Sequence, residues 1–213
     1  TTFGFDTAVD FATSCLDRLH STAESHQRVM VVEVMGRYAG WIALHAGIAG
    51  GAHAILIPEI PFDLNKVAAK ILHRDSLGRM YSIVVVAEGA EPTGGQRAVL
   101  DPAEIGHAER LGGIGERITR VLQDRTGKDA RVVVLGHLLR GGSPTSFDRL
   151  AAMRFGTAAV RALEQGRSGV MVALAFPNVN YVALEDVAGR MKGVPLDCDT
   201  LQTGRDMGIS FGD

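Results

Sequence analysis

Arg131-Val132-Val133-Val134-Leu135-Gly136-His137-Leu138-Leu139-Arg140-Gly141-Gly142 is the stretch that decides the fold. Behind its leading arginine, four apolar residues run without interruption, too few for an ordinary helix, and Gly136 stops them. That predicts a strand over Arg131–Leu135 that is apolar toward both of its faces. Such strands belong to parallel sheets covered on both sides. A glycine-rich loop follows, and then a strong helical pattern from Asp148 to Leu163.

Working outward, the same grammar repeats. Arg28–Val34 (RVMVVEV), Ala54–Ile57, Ser82–Ala87 (SIVVVA) and Val170–Leu174 are further apolar runs, with Val170–Leu174 expected to be the last strand. Between them lie helical patterns. Ala8, Val9, Phe11, Ala12, Cys15, Leu16 and Leu19 recur at helical spacing and predict a first helix ending near His20. Trp41–Ile48 predicts a buried helix, and Asp63 caps one that runs to about His73. Ile114–Asp124 is helical with Gly127 just past its end, and a short helix is expected around Leu184–Met191. Residues 88–111 and the tail are expected to be irregular. Strands alternating with helices define an α/β fold with three-layer parallel-sheet lobes.

Composition narrows the function. Of 213 residues, 46% are hydrophobic and 22% charged, an ordinary soluble balance, and the net charge of −2 speaks against nucleic-acid or membrane-surface binding. Cys15 and Cys198 have neither metal-site nor disulfide spacing, which fits a reducing cytoplasm. Of 22 basic residues, 18 are Arg and 4 Lys. Genomic base composition accounts for such a bias in general; at a few positions it also suits bidentate recognition of phosphate. The chain opens on Thr1-Thr2-Phe3-Gly4 without an initiator Met, and the expectation is a piece of something longer, truncated at its N-terminus.

Ligands of open α/β sheets bind beyond the carboxyl ends of the strands. Those ends present Met35-Gly36-Arg37, then Glu88-Gly89, then Gly136-His137 and Arg140-Gly141-Gly142. Taken singly, Gly89 is a turn glycine, His137 a structural histidine and Arg37 a surface charge. Together they suit a phosphorylated polyol: Arg and His for the phosphate, Glu accepting from hydroxyls, glycines for close backbone approach. Arg28 and Arg131 stand instead at strand beginnings. Six residues separate Arg131 from His137, roughly 20 Å along an extended strand. One phosphate held by both would require two subunits; the alternative is a solvated charge at a strand entrance.

The spacing Arg131…Gly136-His137-Leu138-Leu139-Arg140-Gly141-Gly142…Asp148-Arg149 resembles the signature of the phosphofructokinases. Glu33-Val34-Met35-Gly36-Arg37-Tyr38-Ala39-Gly40, Thr2-Phe3-Gly4-Phe5-Asp6-Thr7-Ala8 and Ser25-His26-Gln27-Arg28 are similar to further segments of that family. The resemblance implies that Met35, Gly36 and Arg37 contact substrate, with Arg37 also stabilising charge on the transferring phosphoryl group. It implies that Glu88 binds sugar hydroxyls, and that His137 and Arg140 hold the 6-phosphate of fructose 6-phosphate. Arg28 and Arg131 would reach that phosphate from a neighbouring subunit, in a homotetramer or homodimer. The cofactor implied is Mg²⁺, with ATP or pyrophosphate, its ligands expected outside these residues.

The family's glycine-rich donor-phosphate loop and its Thr-Ile-Asp-Asn-Asp-like motif do not occur among the 213 residues. The chain alone is therefore expected to be inactive, since phosphoryl transfer rests on positioning around metal-bound phosphates. Residues 1–139 with 193–213 are expected to form the fructose 6-phosphate lobe, and 140–192 a remnant of the donor lobe with exposed apolar surface. Regulated bacterial members carry a carboxylate where this chain has Ala52-His53 and lysines where it has Leu77-Gly78-Arg79, so ADP or phosphoenolpyruvate control is not implied. The segment Ala90-Glu91-Pro92-Thr93-Gly94-Gly95 resembles insertions in pyrophosphate-using relatives. Rival readings are a pyrophosphate-dependent enzyme, a non-catalytic sugar-phosphate-binding half, and a generic α/β ligand-binding domain.

Overall fold

A computed structural model describes residues 2–95, 98–101 and 110–213. Four strands, β1 (Val29–Val34), β2 (Ala54–Leu56), β3 (Ser82–Ala87) and β6 (Ala130–Val134), form one sheet in the order β2-β3-β1-β6. Every pairing in it is parallel. β1 and β3 are buried along their whole length, as expected of central strands covered on both faces.

Because side chains alternate along a strand, the sheet feeds two cores. Met30, Val32 and Val34 point into one, with Leu16 of helix α1 (Phe5–Ser25) and Leu44 of α2 (Trp41–Ala49). Val29 and Val31 point into the other, with Ile71 of α3 (Leu64–Ser76) and Ile118 and Leu122 of α4 (Ile114–Thr126). The result is a helix–sheet–helix sandwich. α3 starts where Asp63 accepts from the Asn65 amide at 2.8 Å, and α4 ends on Gly127 at φ 68°, a left-handed cap open to glycine.

Helix α5 (Ser146–Glu164), N-capped by Thr145, packs on a two-stranded antiparallel sheet of β7 (Val170–Ala175) and β8 (Asn178–Ala183). The Tyr181 hydroxyl donates to the Ala158 carbonyl at 2.8 Å. Several large apolar side chains of α5 are exposed, among them Leu150, Met153 and Leu163.

Several boundaries and elements depart from the sequence expectation. α1 continues past His20 to Ser25, because Ala23 one turn on is still buried against the core. Within 88–111, expected to be irregular, β4 (Val99–Asp101) pairs with β5 (Arg110–Leu111); 96–97 and 102–109 lie outside the described residues. The loop after β6 contains a 3-10 helix, Gly136–Arg140. β7 is not the last strand, since β8 returns beside it, and α6 is one turn only, Leu184–Val187. The tail holds α7 (Asp199–Asp206), whose Leu201 and Gly204 are buried. Beyond it the chain lies along the free edge of β2: Ile55 N–H donates to the Ser210 carbonyl at 2.9 Å, and Ser210 N–H to His53 at 3.1 Å.

Candidate functional site

Three loops at the carboxyl end of the sheet are tied to one another by backbone hydrogen bonds. Glu88 N–H donates to the Val34 carbonyl (2.9 Å), Gly89 N–H to Gly36 (3.0 Å) and Leu135 N–H to Glu33 (3.0 Å). The β1–β3–β6 ladder thus continues past the strands and fixes the spacing of the loops. Gly89 is the tightest point. A Cβ there would lie 1.9 Å from the Arg37 carbonyl oxygen, so only glycine fits.

Arg140 Nε lies 3.3 Å from Met35 Sδ and donates to it. That contact carries the 3-10 helix after β6 onto the loop after β1. Three residues make one turn of a 3-10 helix, so His137 stands on the same side as Arg140. Leu139 between them is buried in the core and anchors the turn. Met35, Gly36, Arg37, Glu88, His137 and Arg140 are therefore gathered at one sheet end. Met35, Arg37 and Glu88 are half-buried, and His137 and Arg140 are exposed.

Below this surface sits a carboxylate to which the sequence reading assigned no role. Glu33, only 4% exposed, accepts the Gly115 N–H at the start of α4 at 2.8 Å. Burial raises its pKa above the ordinary glutamate value, the Gly115 hydrogen bond opposes the rise, and the charges of Glu88 and Glu116 add to it. The outcome is a carboxyl shifted toward its protonated form within electrostatic reach of Glu88. Its signal in the sequence was a lone charge inside the apolar run of β1.

Arg28 and Arg131 are at the opposite, entry end of the sheet, as their positions in the strands required. They meet there. Arg28 Nε is 3.0 Å from Asp129 Oδ2, and Arg131 Nη1 is 2.7 Å from Asp129 Oδ1. With these side chains a quarter to more than half exposed, such pairs add only about 0.2–1 kcal/mol each to stability. Their effect is one of placement.

A different part of the signature, Asp148, serves structure. Its buried carboxylate accepts the Thr7 amide at 2.7 Å and the Thr7 hydroxyl at 2.5 Å. Burial pushes its pKa up, but the Thr7 hydroxyl and the backbone N–H groups of Thr7, Gly4 and Asp6 together hold it below the usual aspartate value. Since Gly4 gives α1 no side-chain cap, Asp148 caps that helix from across the fold.

At the entry end, a cavity of about 500 Å³ is lined by His53, Arg74, Arg79 and Tyr81 among others. His53 Nδ1 accepts the Ile83 amide at 2.8 Å. Burial, then the charges of Arg74, His20, Lys70 and Arg79, push its pKa down to about 3. Among the described residues, no helix is long and apolar enough to cross a membrane.

The family described as Phosphofructokinase matches residues 1–163. An ATP-dependent 6-phosphofructokinase of Chloroflexus aurantiacus is 52% identical over 212 residues, covering 100% of this chain and 58% of that protein. A pyrophosphate–fructose 6-phosphate 1-phosphotransferase of Amycolatopsis mediterranei is 51% identical over 198 residues, covering 92% of this chain and 58% of that protein. The chain thus spans less than two thirds of the length of these relatives. Among solved structures, the pyrophosphate-dependent phosphofructokinase of Nitrosospira multiformis aligns with TM-score 0.74 and 25% identity, over 99% of this chain and 55% of that one. The corresponding Marinobacter aquaeolei enzyme aligns with TM-score 0.75 and 23% identity, over 95% and 54%, a likeness of fold.

Proposed function

The chain belongs to the phosphofructokinase family, and from that premise we propose that it forms the acceptor pocket for phosphoryl transfer to the 1-hydroxyl of fructose 6-phosphate, giving fructose 1,6-bisphosphate. The observation that carries this reading is the Arg140–Met35 contact, which joins two otherwise distant motifs at one sheet end. In it, His137 and Arg140 bind the 6-phosphate, Glu88 accepts from sugar hydroxyls, and Met35 and Gly36 line the sugar. Arg37 both contacts substrate and stabilises charge on the transferring phosphoryl group. Arg28 and Arg131 reach the same phosphate from a neighbouring subunit, so the assembly is a homodimer or homotetramer with shared sites. The working location is the cytoplasm.

ATP with Mg²⁺ is the default donor of this reading. Among the described residues no group of three or more His, Cys, Asp or Glu side chains could hold a metal ion, and the Mg²⁺ ligands of this reading lie outside them. Residues 1–139 with 193–213 act as the acceptor lobe; 140–192 belong to a donor lobe, a division supported by the exposed apolar face of α5. The 213-residue chain by itself does not turn over, because the donor loop and the general-base motif are not within it. A pyrophosphate donor is the second reading, favoured by the Amycolatopsis relative's name and by the segment 90–95.

Calorimetric titration of fructose 6-phosphate into the chain tests the pocket. Arg140→Ala and Glu88→Ala are each expected to weaken binding about tenfold or more, the loss of one charge-assisted hydrogen bond. Unchanged binding in both variants would remove the site. Phosphorylation of fructose 6-phosphate by the purified chain, with either donor, would overturn the inactivity.

A further inference from the structure

Asp129 stands outside every motif discussed above, yet it is the meeting point of two arginines, Arg28 just before β1 and Arg131 in β6. The register explains why. Val29 pairs with Ala130 and Met30 with Arg131, so one step earlier Arg28 lies opposite Asp129. The Val29 N–H donates to the Asp129 carbonyl at 2.9 Å and closes that step. Asp129 stands one residue before β6 and two before Arg131, and the extended chain entering the strand puts both on one face. Met30, two after Arg28 and paired with Arg131, points into the α1–α2 core, so all three polar side chains emerge on that same side of the sheet. The Arg28 amide is held from below by the Ala23 carbonyl at 3.1 Å, the last buried turn of α1.

Each arginine is ion-paired with the carboxylate, Arg28 Nε at 3.0 Å from Oδ2 and Arg131 Nη1 at 2.7 Å from Oδ1. The buried Arg28 Nε makes no hydrogen bond among the described residues, and Arg131 Nη1 donates to the Ala130 carbonyl at 3.2 Å. A guanidinium has five N–H donors; with Arg28 a quarter exposed and Arg131 more than half exposed, the terminal nitrogens turned away from Asp129 and Ala130 can meet an anion arriving from solvent. Without the carboxylate, two like charges on adjacent strands would repel, and two long side chains would sample many rotamers. With it, they form one fork of defined spacing. We propose that Asp129 is a positioning residue for the acceptor phosphate: it sets Arg28 and Arg131 as a preorganised pair that one subunit presents to the sugar phosphate bound in its neighbour. The inference rests on the acceptor-pocket reading and adds to it a residue that acts only through the two arginines.

The test is calorimetric titration of fructose 6-phosphate at a concentration where sedimentation shows the chain self-associated. Asp129→Asn, which keeps size and removes charge, is expected to weaken binding about tenfold. In an Arg28→Ala/Arg131→Ala background the same change adds less than about twofold, because a residue acting only through its partners is not additive with them. Asp129→Glu restores most of the affinity, which a merely structural role would not predict. Tighter or unchanged binding in Asp129→Asn, or a full additional loss on top of the Arg28→Ala/Arg131→Ala pair, overturns the proposal. If Arg28→Ala and Arg131→Ala bind normally while Arg140→Ala does not, or if the chain stays monomeric, Asp129 has no such role and the pocket still stands. If Arg140→Ala and Glu88→Ala also bind normally, the pocket reading itself falls.

Discussion

Thr7 and Asp148 are 141 positions apart in sequence, and the Asp148 carboxylate accepts both the amide and the hydroxyl of Thr7. The contact joins the first helix to the helix that follows the glycine-rich loop. It is supported by Thr145, whose hydroxyl donates to Asp6 at 2.6 Å and whose amide donates to the Thr7 hydroxyl at 3.1 Å.

Asp148→Ala is expected to destabilise the chain by about 2–3 kcal/mol, since a buried charge-assisted acceptor is lost and α1 loses its cap. The folded-state pKa of Asp148 is depressed. Its stabilisation is therefore present above the unfolded value, near 3.9, and disappears as pH falls through the lower folded one. Urea midpoints at pH 7 and in the acid range check this; the variant should show a smaller acid loss than the parent.

Glu33 has the opposite sign. Its folded pKa is raised, so the folded state holds its proton more tightly and stability declines as pH rises from the unfolded value through the folded one. Glu33→Gln keeps an acceptor for Gly115 and removes the charge. It should be neutral or stabilising at pH 7, whereas Glu33→Ala, leaving the Gly115 amide unpaired, should cost about 1–3 kcal/mol. Chemical denaturation of the two variants at pH 5 and pH 8 distinguishes them.

His53 is held neutral, with its pKa pushed down to about 3. Unfolding frees it to protonate near 6.5, so stability falls with pH below that value, by on the order of 2 kcal/mol at pH 5. His53→Asn should flatten the slope between pH 7 and pH 5. An unchanged slope would place the acid sensitivity elsewhere.

Gly89→Ala is expected to damage binding before it damages the fold. The added methyl would sit 1.9 Å from the Arg37 carbonyl oxygen, forcing the 35–37 loop outward at a cost of about 1–3 kcal/mol. Fructose 6-phosphate affinity should drop about tenfold or more, while the thermal midpoint falls by only a few degrees. A midpoint shift without a change in affinity would take the 35–37 loop out of the binding pocket.

How much of this was legible depends on whether local chemistry spells out a residue's surroundings. The strands of the main sheet were legible because both faces are apolar, and α3 and α4 because Asp63 and Gly127 mark an end of each. α7 was not, since only Leu201 and Gly204 of its eight residues are buried, too few to print a helical period. β8 was missed for a related reason: its Asn178, Asn180 and the turn before it resemble a loop, and only pairing with β7 makes them strand. For the candidate site, the strand-end loops at 35–37, 88–89 and 136–140 followed from the rule that ligands gather at the carboxyl ends of parallel strands.

By itself the sequence determined the layers, the direction of the sheet and the opposite ends at which Arg131 and His137 must stand, because these follow from periodicity and rise along one strand. Only the tertiary structure decided which side chains meet across strands. Asp129 joins Arg28 to Arg131 because the β1–β6 register sets residue 28 level with 129, and Arg140 reaches Met35 because the 3-10 helix after β6 folds back onto the loop after β1. Register is a property of two strands held together by the packing on both their faces, and no window along a single strand contains it.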